Sequence, residues 1–216
     1  MSIALSIGNN LTTNGVFTSS AVNNTSVTNV TDFASVPGGG VLKLLSTQTA
    51  SASATISFTS GIDSTYDSYI FKLYDIHPTN DGVDIRVNFR DGGSSFDATK
   101  TSTFFWTYHD EGGSTTILQY LASRDLAQST SADALSGNIG AGNDQSGVAT
   151  LHLFDPSNTT FVKHYIATSN VYENGDYTIN SYSAGYCNTT SAIDGVQFIM
   201  SSGTIQSGTI KMYGVK

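Results

Sequence analysis

The residues best suited to chemistry in this chain are few and dispersed. His109-Asp110-Glu111 sets three potential ligands or acid–base groups in a row. Successive strand residues point to opposite faces, so these three converge only if a turn gathers them. His152 and His164 flank Asp155-Pro156. On two strands paired across that turn their imidazoles would come close, yet zinc takes three or four protein ligands and no third is evident. The histidines therefore read as a cross-strand surface pair. The acidic stretches Asp75 to Asp84 and Asp110-Glu111 offer oxygens of the kind calcium binds, without the regular spacing of a calcium loop, and read as solvated turns.

Nucleophile chemistry is equally thin. Cys187 is the sole cysteine, which excludes an intrachain disulfide and a paired-cysteine metal site. With no base beside it, it reads as a core thiol. Gly-x-Ser-x-Gly, the strand-to-helix elbow of many serine hydrolases, does not occur. A carboxylate pair for glycoside hydrolysis would need acids on strand interiors, where this chain has few. The sequence assigns no catalytic, cofactor-binding or metal-ligating residue, and it implies no cofactor.

Sugar recognition has more material. Tyr66, Tyr69, Tyr74, Trp106, Tyr108, Tyr120, Tyr172, Tyr177, Tyr182 and Tyr186 supply flat apolar faces, and Asn, Asp and Thr supply hydrogen-bonding partners. Core packing and subunit interfaces use the same aromatic residues, and that reading is the favoured one.

Positioning any of these groups falls to β-strands. Val83 to Arg90 alternates Val83, Ile85, Val87 and Phe89 with Asp84, Arg86, Asn88 and Arg90, the period of a strand with one buried face. Ala54 to Thr59 and Tyr66 to Tyr74 repeat it. Turn-forming residues at 60–64 and 77–82 separate the three runs, which predicts a meander. Further strands are expected from Val41, Thr103, Thr116, Val148, Phe161, Tyr177, Ile193 and Gly208. That makes about ten in all at hairpin spacing. The residues from Ala122 to Gly147 break the pattern and form a long excursion, with room for one helical turn over Leu126 to Ala134. The fold class is all-β, an antiparallel jelly-roll-like β-sandwich.

Residues 1–40 differ from the rest. They are polar, nearly uncharged and sparsely hydrophobic, and they end in Pro37-Gly38-Gly39-Gly40. This reads as an extended N-terminal arm and glycine hinge before a sandwich domain over 41–216. Met1 to Ile7 lacks the basic and apolar regions of an export signal, and no run approaches the ~20 apolar residues of a membrane-spanning helix. Charged residues make up 12% of the 216, with a net charge of −8, against roughly a quarter in ordinary domains. With Lys and Arg scattered singly, a nucleic-acid partner is not expected. The surface must be largely neutral hydroxyl and amide.

Ile56 to Tyr66, Tyr69-Ile70-Phe71, Ile76-His77-Pro78, Leu151 to Ser157, Ala184-Gly185-Tyr186 and Ser207 to Val215 together resemble a β-rich domain of structural proteins in tailed phages, marine and cyanobacterial ones particularly. The resemblance runs from about Gly38 to the last residue. It implies a non-enzymatic structural protein on the outer surface of a virion, either a capsid decoration or a fibre-like appendage. Such a protein is made in the host cytoplasm and contacts other capsid or tail proteins. It further implies a homo-oligomer, by analogy a trimer; no membrane partner is expected, for want of a membrane-length apolar run. The alternative is a tail adhesin that recognises host surface polysaccharide. No site residue comes with the resemblance.

Overall fold

The computed structural model describes residues 42–216, and the arm and hinge expected over 1–40 lie outside the described residues. Twelve strands follow in order: β1 (Lys43–Thr49), β2 (Ile56–Phe58), β3 (Ser68–Pro78), β4 (Ile85–Arg90), β5 (Lys100–Asp110), β6 (Thr116–Tyr120), β7 (Asp133–Ala134), β8 (Gly147–Phe154), β9 (Lys163–Glu173), β10 (Tyr177–Cys187), β11 (Gly195–Met200) and β12 (Ile205–Val215). Eight form one sheet in the order β1-β12-β3-β8-β9-β10-β5-β6, and four form a second in the order β2-β11-β4-β7. Every pairing is antiparallel. The all-β antiparallel sandwich expected from the alternation is the architecture found, with unequal sheets.

The alternation locates the core correctly. Ile85, Val87 and Phe89 of β4 are buried and so are Tyr69, Phe71 and Leu73 of β3, while the residues between them are partly exposed. Phe58, Phe71 and Phe198 meet from three strands with ring centroids 5.3 to 6.3 Å apart. Full burial of each such ring stabilises the fold by about 3 kcal/mol.

The meander expected of the first three runs does not form. β2 and β4 lie in the smaller sheet on either side of β11, whereas β3 lies in the larger sheet between β12 and β8. Alternation states which face of a strand is buried, and both sheets offer an apolar inner face, so the pattern does not choose the partner. The chain crosses between layers at 59–67. There the Tyr69 hydroxyl accepts the Asp63 N–H at 2.8 Å and donates to the Asp63 carbonyl at 2.9 Å.

One local expectation also changes. The helical turn foreseen over Leu126 to Ala134 is replaced by extended chain. Ser129 exchanges backbone hydrogen bonds with Lys100, and Asp133-Ala134 becomes β7 against β4. The dipeptide Thr204-Ile205 recurs five residues on as Thr209-Ile210, at the start of β12. Five residues apart, the two isoleucines should face opposite ways, yet both are fully buried. Register irregularities between Ile205 and Thr209 reset the alternation. They lie close to positive-φ Gly208, where an added Cβ would meet the Asp75 carbonyl at 2.9 Å.

Candidate binding face

The sequence's candidate chemical groups do not converge. The Asp110 carboxylate accepts hydrogen bonds from Ser114 N–H at 2.9 Å, Thr115 N–H at 2.6 Å and Ser114 Oγ at 2.6 Å. It shapes its own hairpin, and the Ser114 hydroxyl and Thr115 amide hold its pKa below the ordinary value. In the stretch from Asp75 to Asp84, Asp81 accepts from Asn174 and Ala141. Buried Asp84 pairs with Arg124 at 2.7 Å and Arg86 at 3.1 Å.

β8 and β9 do pair as the histidines required, with His152 opposite Ile166. His152 then packs its ring against Phe154 at 3.8 Å and shares a hydrogen bond with Ser68, while the His164 ring lies 6.1 Å from that of Tyr186. Among the described residues, no group of three or more His, Cys, Asp or Glu side chains gathers as a metal site.

A cluster the sequence reading missed lies between β7 and the larger sheet. Asp133 is 1% exposed. Its carboxylate accepts Ser102 Oγ and Tyr165 OH at 2.7 Å each, and Ser183 Oγ at 3.3 Å. Burial raises its pKa, while the three hydroxyls oppose that shift and favour the ionised form. Burial lowers that of Lys100, whose ammonium donates to the Ala98 carbonyl at 2.8 Å and to Asn88 Oδ1 at 3.3 Å. Burial likewise pushes the Cys187 thiol up to about 12. Asp133 and the three hydroxyls satisfy one another inside the sandwich, and Ser102 Oγ also accepts the Leu126 N–H at 3.1 Å. The arrangement ties the long excursion to the sheet. One signal was present in the sequence: Ser181, Ser183, Gly185 and Cys187 make the C-terminal part of one face of β10 a run of small residues, which invites close approach of another segment.

The outward face of the larger sheet is a different surface. Register aligns Tyr120, Phe105, Tyr182, Thr168, Thr150, Lys72, Lys211 and Thr47 in one cross-strand row. The next row carries Leu118, Thr107, Asn180, Asn170 and Val148. Phe105 and Tyr182 stack with centroids 5.0 Å apart and planes at 10°, and Lys211 lies over the Tyr74 ring at 5.4 Å. Between the aromatic groups runs a shallow groove of 520 Å³ lined by Lys72, Tyr74, Val148, Thr150, Thr168, Asn170, Asn180 and Tyr182.

Thus the tyrosines singled out in the sequence separate into classes. Tyr69 is core. Tyr108 and Tyr177 pack edge to face beside Trp106. Tyr74, Tyr120 and Tyr182 present exposed faces outward. No protein-family model, curated protein or solved structure matches the chain.

Proposed function

We propose that this protein is a non-enzymatic structural subunit of the outer surface of a tailed-phage virion, a capsid decoration or fibre-like appendage that works as a homo-oligomer. The outward face of the eight-stranded sheet is its contact surface. The observation that carries the reading is the composition of that face, in which aromatic rings, hydroxyls and amides alternate across strands with few charges. Such a surface is desolvated at low cost and binds through area and short hydrogen bonds. The phage resemblance supplies the setting. Its motif residues fall mainly on β2, β3, β8 and β12, where Phe58, Tyr69, Phe71, Leu151, Leu153 and Met212 are buried. They are packing residues, which is why the resemblance speaks to fold and setting and to no site.

The deciding experiment is antibody labelling of purified virions under the electron microscope. Label over the head supports decoration, and unlabelled virions overturn the proposal. A second reading, a tail adhesin for host polysaccharide, is favoured by one feature: the Phe105–Tyr182 stack beside Asn170, Asn180 and Thr168 pairs a flat apolar platform with hydroxyl-matching groups. Label confined to the tail, with binding to host polysaccharide that Tyr182→Ala abolishes, selects it.

A further inference from the structure

Four strands end the two sheets, and three are guarded against pairing with another chain. β1 carries Lys43 and a register irregularity between Leu44 and Ser46. β2 is three residues long, and its Ser57 carbonyl accepts Gln48 Nε2 at 2.7 Å. β7 has two residues. β6 has none of these devices. From Thr115 to Leu121 there is no charge, proline or glycine, the pairing of β6 with β5 is regular, and all five β6 residues are exposed, Leu118 by 76% and Tyr120 by 53%. A neutral, β-prone, uninterrupted edge of this kind is a template for another strand.

We propose that β6 pairs antiparallel with β6 of a second copy about a twofold axis at Leu118. The Thr115 carbonyl and Leu121 N–H bond to β5 at Asp110 and Phe104. By alternation, the N–H and C=O groups of Thr116, Leu118 and Tyr120 point to the free edge, and among the described residues no group bonds to them. A twofold axis at Leu118 sets that residue against its own mate and Thr116 against Tyr120, each a hydrogen-bonded pair. Identical strands oppose like with like at the axis, so a charge there would repel its copy. This strand has none. The pairing merges two eight-stranded sheets and brings the aromatic rows that end at Tyr120 side by side.

The proposal rests on the edge itself and not on the virion role, so unlabelled virions would leave it standing. Sedimentation equilibrium of the full chain over the micromolar range tests it. The wild type is expected to be a dimer. Leu118→Lys places like charges at the axis and should weaken the dimer by on the order of 100-fold, while Leu44→Lys at the opposite edge leaves it unchanged. Register is tested separately: T116E/Y120E and T116K/Y120K should each be monomeric and should dimerise when mixed. A monomeric or trimeric wild type, or a folded Leu118→Lys that still dimerises, overturns the proposal.

Discussion

The space between the sheets has two dissimilar ends. At one, Phe58, Phe71 and Phe198 close a wholly apolar cluster with Leu151 and Met212 nearby in the core. At the other, Asp133 gathers Ser102, Tyr165 and Ser183, with Lys100 and Cys187 also buried. Phe89 against Tyr165, at 4.9 Å, joins the two. The first end is held by non-directional burial, which tolerates any hydrophobe of similar volume. The second is held by directional bonds that accept one registration of the excursion on the sheet. The difference teaches that strand pairing and loop placement have separate sources of specificity.

Mutation of the two ends should expose this contrast, and the largest effect is expected in the apolar cluster. Phe198→Ala leaves a cavity and should lower unfolding free energy by about 4 kcal/mol, whereas Phe198→Leu should cost under about 1.5 kcal/mol. Denaturant titration at unchanged slope reads both. Asp133→Ala strands three buried hydroxyls and should cost about 2–3 kcal/mol. Unlike the apolar end, it should not be rescued by Leu. An Asp133→Leu variant as stable as wild type would erase the distinction.

The pH dependence sharpens it further. Burial raises the Asp133 pKa above the ordinary 3.8, so the native chain keeps this proton where the unfolded chain has lost it. That contribution is full below about pH 3.8 and is lost as pH climbs through the raised native value. Asp110, whose pKa is lowered, acts with the opposite sign, losing its contribution as pH falls. The difference between wild type and Asp133→Asn isolates the first effect: wild type should gain relative to the variant as pH falls, and parallel curves would refute a raised Asp133 pKa in the native chain.

Smaller effects are expected at Cys187 and on the outer face. With its thiol pushed up to about 12, Cys187 should resist alkylation at pH 8 until the polar end opens, so its labelling rate measures that opening. Tyr182→Ala, at a side chain 41% exposed, should change stability by no more than about 1 kcal/mol. Its consequence should appear in assembly or glycan binding instead.

Much of this was legible in the sequence. Strand positions followed from alternation at Val83 to Arg90 and Val148 to Phe154, and the hairpin of β5 and β6 followed from Asp110-Glu111-Gly112-Gly113. The neutral outer face followed from the scarcity of charge. These are local properties, since a period of two and a turn residue act over a few residues. Other features depended on segments far apart in the chain. β3 pairs with β12 and β8 while β2 and β4 flank β11, because the chain changes layer at 59–67 and again at 79–84. Asp133 met Ser102, Tyr165 and Ser183 only because the excursion folded back over the sheet, and no spacing relates those positions. Whether a tyrosine belongs to the core, the edge-to-face cluster beside Trp106 or the outward row depended on register, which a shift of one residue would reverse. The sequence by itself determined which residues are strand and which side of each seeks burial. Tertiary structure decided which strands met, because the two apolar faces were interchangeable until chain connectivity and the polar bonds around Asp133 distinguished them.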